Sequence, residues 1–259
     1  HGNRLWLYIV ALVIMLLMII PTVIVVPMSF SDSQYLEFPP SHWSLRWYEE
    51  YFNSAKWMRS TMTSFQIGVL TMLVATPLGT MAAYGLYVSG HRAAKTIFVF
   101  LITPMIVPVI LIAIGTFYVF GRLGLNNTIG GLVLAHTSLA TPLVMIIITA
   151  ALRTYDLNQE RVARSLGASR LKAFFLITLP QIRFSILTAA LLSFLTSFDE
   201  VIISIFISGG KNATLTKQMF SALRDYIDPT IAAISTIMVF ISTTLLLATQ
   251  FFKARQEKK

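Results

Sequence analysis

The chain has 259 residues, 56% of them hydrophobic and 12% charged, with a mean hydropathy of +0.73. A soluble domain carries about 25% charged residues, so this surface is too poor in charge for water and suits lipid. The net charge of +9 does not signal nucleic acid, because the Lys and Arg lie in short segments between apolar runs rather than in a patch on a polar domain. The absence of cysteine excludes disulfides, zinc–thiolate sites and thiol catalysis.

A helix that crosses the hydrocarbon core needs roughly 20 mostly apolar residues. In chain order the candidates are 5–26, 63–88, 96–120, 131–152, 182–207 and 231–252. They predict an all-α membrane protein of about six transmembrane helices, with 1–259 forming a single transmembrane domain. The first run is expected to be a retained helix, being too long for a signal-peptide core and lacking a convincing cleavage site. Residues 27–62 hold Trp43, Trp47, Tyr48, Tyr51 and Trp57, which suits a segment lying along a membrane interface. The third run carries Pro104 and Pro108 and the fourth Pro142. Such prolines free backbone carbonyls, so they predict either packing kinks or a wall of a translocation path.

Thirteen of the 20 Lys and Arg fall in the segments on the N-terminal side of the membrane, from Arg4 through Arg92, Lys95 and Arg153 to Lys258 and Lys259. Seven fall on the opposite side, from Arg46 to Arg224. The positive-inside rule then places both termini in the cytoplasm.

The most patterned segment is 153–180, on the cytoplasmic side in that orientation. Asp156 followed by Gln159 resembles a capping box opening a short helix. Val162, Ala163 and Leu166 recur on one helical face, Gly167 suits a helix end, and Ser169 can cap a second helix carrying Leu171, Phe174 and Phe175. Pro180 closes the unit. The expected product is two short helices with an apolar ridge, which needs a partner groove.

This loop resembles the signature of bacterial binding-protein-dependent ABC importers, E-A-A-x3-G-x9-I-x-L-P. Gly167 is followed after nine residues by Ile177-Thr178-Leu179-Pro180. In the first half, Arg161-Val162-Ala163 stands where Glu-Ala-Ala is expected, with Glu160 one position early. The string from Ala163 through Leu166 and Gly167 to Ala168 and Ser169 is also similar to the family. The resemblance implies a type I ABC importer permease fold in the bacterial inner membrane. It also implies a coupling helix built from Glu160, Arg161, Val162, Ala163, Leu166, Gly167, Ala168 and Ser169, seated in a separate ATPase subunit. The implied partners are a second permease, two ATP-binding subunits and a solute-binding protein, with membrane lipid around them. ATP and Mg would sit on the ATPase, since this sequence has no G-x4-G-K-[ST] loop; no catalytic or metal-binding residue and no cofactor of its own are expected.

Asp199 and Glu200 lie within the fifth apolar run. Charged residues at bilayer depth are costly and mark a pathway or a paired site. Adjacent residues on a helix point about 100° apart, so at most one would face a pore squarely. The segment around them, with Tyr226-Ile227-Asp228-Pro229 beyond, is similar to the second permease of polyamine importers and implies an organic-cation substrate. His136 in the fourth run is either a ligand for substrate or proton, or a bond across helices. Two other classes remain: an ion-coupled secondary transporter or channel using Asp199 or Glu200, and an intramembrane enzyme. The patterned loop opposes the first, and the lack of H-E-x-x-H and G-x-S-x-G motifs opposes the second.

Overall fold

The computed structural model describes residues 4–256. Among them every regular element is helical, with one isolated antiparallel bridge between Ser31 and Trp43. In chain order the helices are α1 Leu5–Met28, α2 Arg46–Asn53, α3 Ala55–Ser89, α4 Ala94–Ile102, α5 Val109–Leu123 and α6 Ile129–Thr154. There follow α7 Asn158–Ser165, α8 Arg170–Ala173, α9 Leu179–Gln181, α10 Arg183–Phe198, α11 Ile202–Ile207, α12 Leu215–Tyr226 and α13 Thr230–Gln256. Lys258 and Lys259, two of the charges used to orient the chain, lie outside the described residues.

Among the described residues four helices are long and apolar enough to cross a membrane: α1, α3, α6 and α13. Two further helix pairs are apolar enough to make a crossing when each pair is taken together, and both are bent. The third run is not one helix: α4 and α5 meet at 90°, joined by a 3-10 turn at Thr103–Met105. The two prolines explain the break, since Pro104 sits in that turn and Pro108 takes an extended conformation just before α5. The fifth run is also interrupted, against the expectation of a continuous 182–207 helix. The stretch Arg170–Gln181 meets α10 at 79°, and α10 itself stops at Phe198 before α11 resumes at Ile202. Hydropathy is blind to these corners, because apolar side chains suit lipid in either geometry.

The chain divides into two compact units. The larger, residues 60–217 with 247–256, is built on α6, which carries many buried residues. One apolar cluster joins Ala83 and Tyr84 of α3 to Val144, Met145, Ile148 and Leu152 of α6, with Phe174, Ile182 and Ala189. A second joins Ile67 of α3, Ala113 of α5 and Leu132, Val133 and Ala135 of α6 to Ile203 and Ile207 of α11. Lipid offers no hydrophobic drive between helices, so close approach at small residues has to supply contact. Gly79 does this: a Cβ there would lie 2.7 Å from Cβ of Val144 and 3.1 Å from the Thr141 carbonyl. Gly79→Val should therefore force α3 off α6 and lower stability by about 1–3 kcal/mol. Thermal melting of the detergent-solubilised chain measures it, and an unchanged midpoint would contradict this packing.

The smaller unit comprises residues up to 59 and 218–246. Here α1 ends in a loop folded back on itself: Ser44 N–H donates to Phe30 O (2.7 Å) and Asp32 N–H to His42 O (3.2 Å). The aromatic segment is more than a surface belt. Trp47 and Tyr51 of α2 are buried, Trp47 Nε1 donates to Ser33 O (3.2 Å), and the Tyr48 hydroxyl pairs with Ser29 Oγ (2.7 Å). Trp43 remains exposed. Glu37 accepts from the hydroxyls of Ser31 and Ser41, and these bonds, that of Ser31 foremost, hold its carboxyl below the usual glutamate range.

Candidate functional site: a tethered two-helix knob and a broken helix

Between α6 and α10 the chain forms the expected pair of short helices, α7 and α8. Asp156 opens α7 through an i to i+2 turn, its Oδ1 accepting from Asn158 N–H (2.9 Å). This corrects the capping-box reading, in which Gln159 would reach back; the Gln159 side chain instead bonds Gln181. Gly167 separates the helices at φ +95°, and Ser169 caps α8 by accepting from Lys172 N–H (3.3 Å).

The outer face of the knob is apolar. Leu166 is 84% exposed, and Val162, Leu171, Phe175 and Leu176 are exposed with it. Phe174 departs from the expected ridge: it turns inward and packs on Tyr84, ring centroids 4.5 Å apart. Residues Phe174–Thr178 form a π-helical turn, a widening often found at functional positions. Within it Phe174 and Thr178 are buried while Phe175 and Leu176 are exposed.

The knob is held by Glu160, which is only 4% exposed. Its carboxylate accepts from the Tyr84 hydroxyl of α3 (2.6 Å) and from Thr178 Oγ1 (2.8 Å). Arg161, by contrast, is exposed and reaches no further than Asn158 Oδ1 (3.4 Å). At the point where the sequence departs from the signature, Glu160 thus points inward and Arg161 points out. Ala163 and Ala168 are half-buried, and Ser169 is exposed.

The second locus is the break between α10 and α11. Asp199 and Glu200 do not sit mid-helix; Asp199 ends α10 and Glu200 precedes α11. Glu200 accepts from Ile203 N–H (2.9 Å), capping α11, and its carbonyl accepts from Thr216 Oγ1 (3.0 Å). Asp199 is exposed, and its carboxylate makes no bond among the described residues. The two acids therefore divide their roles: one closes a helix end, the other stays open.

Beside this break, His136 of α6 is 1% exposed. Its Nδ1 pairs with Ser197 Oγ (2.8 Å) and its Nε2 lies 3.4 Å from Ser204 Oγ, while Ser197 also reaches Thr71 of α3 (3.3 Å). Both ring nitrogens are engaged across helices, so His136 fastens α6 to α10 and α11. Sequence reasoning missed Tyr84 and Thr178, because a tyrosine in an apolar run and a threonine in a loop carry no local signal of a shared carboxylate.

Residues 75–259 match the family described as the inner membrane component of binding-protein-dependent transport systems. The chain is 32% identical over 248 residues to the putrescine transport system permease protein PotI of Escherichia coli K12, covering 92% of this chain and 87% of that one. It is 30% identical over 232 residues to the spermidine/putrescine transport system permease protein PotC of Haemophilus influenzae, covering 89% and 90%. Among solved structures, it is similar to a chain of a bacterial alginate ABC transporter in complex with an alginate pentasaccharide-bound periplasmic protein. That match has a TM-score of 0.71 and 17% identity and covers 99% of this chain and 97% of the other. The likeness to the methionine transporter MetNI has a TM-score of 0.56 at 14% identity, over 75% and 91%. The all-α architecture is that of ABC importer permeases, and the relatives are transport subunits rather than enzymes. The chain belongs to the family of inner membrane components of binding-protein-dependent transport systems, and is a multi-pass inner-membrane protein.

Proposed function

We propose that this chain is one half of the pore of an ATP-driven importer that brings a polyamine or similar organic cation into the cytoplasm. The observation that carries the reading is the knob: an apolar ridge led by Leu166 at 84% exposure, yet pinned from within by Glu160. Apolar surface of this kind is costly in water and fits a groove on another protein. Pinning makes the knob a lever, since a push on α7 reaches α3 through Tyr84 and the entry to α10 through Thr178. The partner at the ridge is an ATPase subunit that holds ATP and Mg. Two ATPases, a second permease and an external solute-binding protein complete the assembly. Each ligand favours one of two pore conformations, so ATP binding and hydrolysis alternate access.

Charge asymmetry orients the chain with both termini and the knob in the cytoplasm. The substrate class rests on the relatives' names and on Asp199. A carboxylate at the carbonyl end of α10 adds to the negative end of that helix dipole, and both favour a cation. Glu200, occupied at the start of α11, supports the path by holding the break open.

Purification of the tagged chain from its native host in mild detergent tests the assembly. A P-loop ATPase and a second permease are expected in stoichiometric amounts; a chain that purifies alone with full transport activity would overturn the reading. Within the knob, Gly167→Leu places a side chain at φ +95° at a cost of about 1–2 kcal/mol. A Cβ there meets nothing within 4 Å, so the strain is conformational and confined to the corner. Uptake should be abolished while the protein stays in the membrane. Normal transport by this variant would count against the coupling assignment.

A further inference from the structure

At the same end of α6 as the knob, a cavity of about 420 Å³ opens between the end of α3, the start of α4 and the end of α6. Its titratable lining includes His91, Arg92, Lys95 and Arg153, and no carboxylate lines it. Among the described residues the sole ion pair is Arg224–Asp225, so Arg92, Lys95 and Arg153 carry charge that no acid neutralises. His91 Nδ1 accepts from Ala93 N–H (3.1 Å), which leaves the proton of the neutral ring on Nε2. No side chain caps the start of α4, and its first turn holds no acid. The helix start and the three cations converge on one space, and together they select an anion with several acceptor oxygens.

The walls select the source of that anion. Leu86 and Phe98 line the cavity, and Ile97, Val99, Phe100 and Leu101 continue from it as an exposed apolar face of α4. A free phosphate has no use for such a face, whereas acyl chains do. We infer that this cavity holds the phosphate of an anionic phospholipid headgroup, whose acyl chains run along α4. The basic residues then act as a headgroup clamp at the root of the bent α4–α5 crossing.

The test uses the purified full chain in detergent, stripped of lipid and offered an equimolar mixture of phosphatidylglycerol and phosphatidylcholine, with bound lipid counted by native mass spectrometry. Phosphatidylglycerol should be retained over phosphatidylcholine by about tenfold, and R92Q/K95Q/R153Q should lose that preference. R92K/R153K, which keeps the charge, should retain most of it and guards against a folding artefact. Equal retention of the two lipids by the unaltered chain would overturn the proposal. So would displacement of the lipid by millimolar inorganic phosphate, which would make the site one for a free anion. A triple variant that keeps its phosphatidylglycerol but loses the ATPase on co-purification would assign the patch to a protein contact instead.

Discussion

Glu160→Ala is expected to uncouple the transporter. The substitution removes the one acceptor shared by the Tyr84 hydroxyl and Thr178 Oγ1 and leaves both in a buried space. An unsatisfied buried hydroxyl costs about 1–3 kcal/mol, so the loop should loosen from α3 and from the entry to α10. ATP hydrolysis by the assembled complex should persist while uptake falls by about tenfold or more, a split that a globally unfolded protein would not give. Glu160→Gln keeps one acceptor oxygen and should recover part of the uptake. Tyr84→Phe removes only the donor and should be milder than Glu160→Ala, since the carboxylate keeps Thr178. If Glu160→Ala transported normally, the carboxylate would be a packing detail and the lever would have to lie elsewhere.

The second large effect concerns the broken helix. Asp199→Asn should depress uptake of a polycation by about tenfold or more, through loss of a charge contact worth several kcal/mol at an effective dielectric near 20. Stability should change little, because Asp199 makes no bond among the described residues. Glu200→Gln should show the opposite profile. It weakens the cap on α11, lowering the melting point by the equivalent of about 1 kcal/mol, with a smaller effect on the uptake of charged over neutral solutes. The comparison is made on labelled putrescine uptake and thermal melts for both variants. Equal transport defects with equal losses of stability would deny the division of labour between the two acids.

Much of the architecture was legible because lipid imposes one strong rule: an apolar run of sufficient length becomes a helix. The crossings built on α1, α3, α6 and α13 follow from it directly. The bent crossings did not. Pro104 and Pro108 signalled a disturbance but not a 90° corner, and the α10 break was marked only by Asp199-Glu200, which read as costly charges within a helix. In the structure those acids sit where the helix ends, and the cost falls because one of them caps the next helix.

The loop was legible as a shape and illegible as a circuit. Gly167, Ser169 and the exposed Val162 and Leu166 follow from turn chemistry and helical spacing. Glu160, in the first turn of α7, read as a coupling residue standing one position early in the motif, with no inward partner assigned to it. Its partners lie 76 and 18 residues away, and nothing local in the sequence joins three such positions. Phe174 illustrates the same limit: periodicity placed it on the ridge, whereas it packs inward on Tyr84, a residue 90 positions earlier in the chain.

Transport in proteoliposomes containing this chain, a second permease and an ATPase, with a binding protein supplied outside, separates an ATP-driven importer from a secondary transporter. Labelled putrescine should accumulate when ATP is enclosed, and should fail to do so with ADP or without the binding protein. Accumulation driven by an ion gradient alone, with no ATPase present, would contradict the account and make the chain a secondary transporter with Asp199 as its ion site.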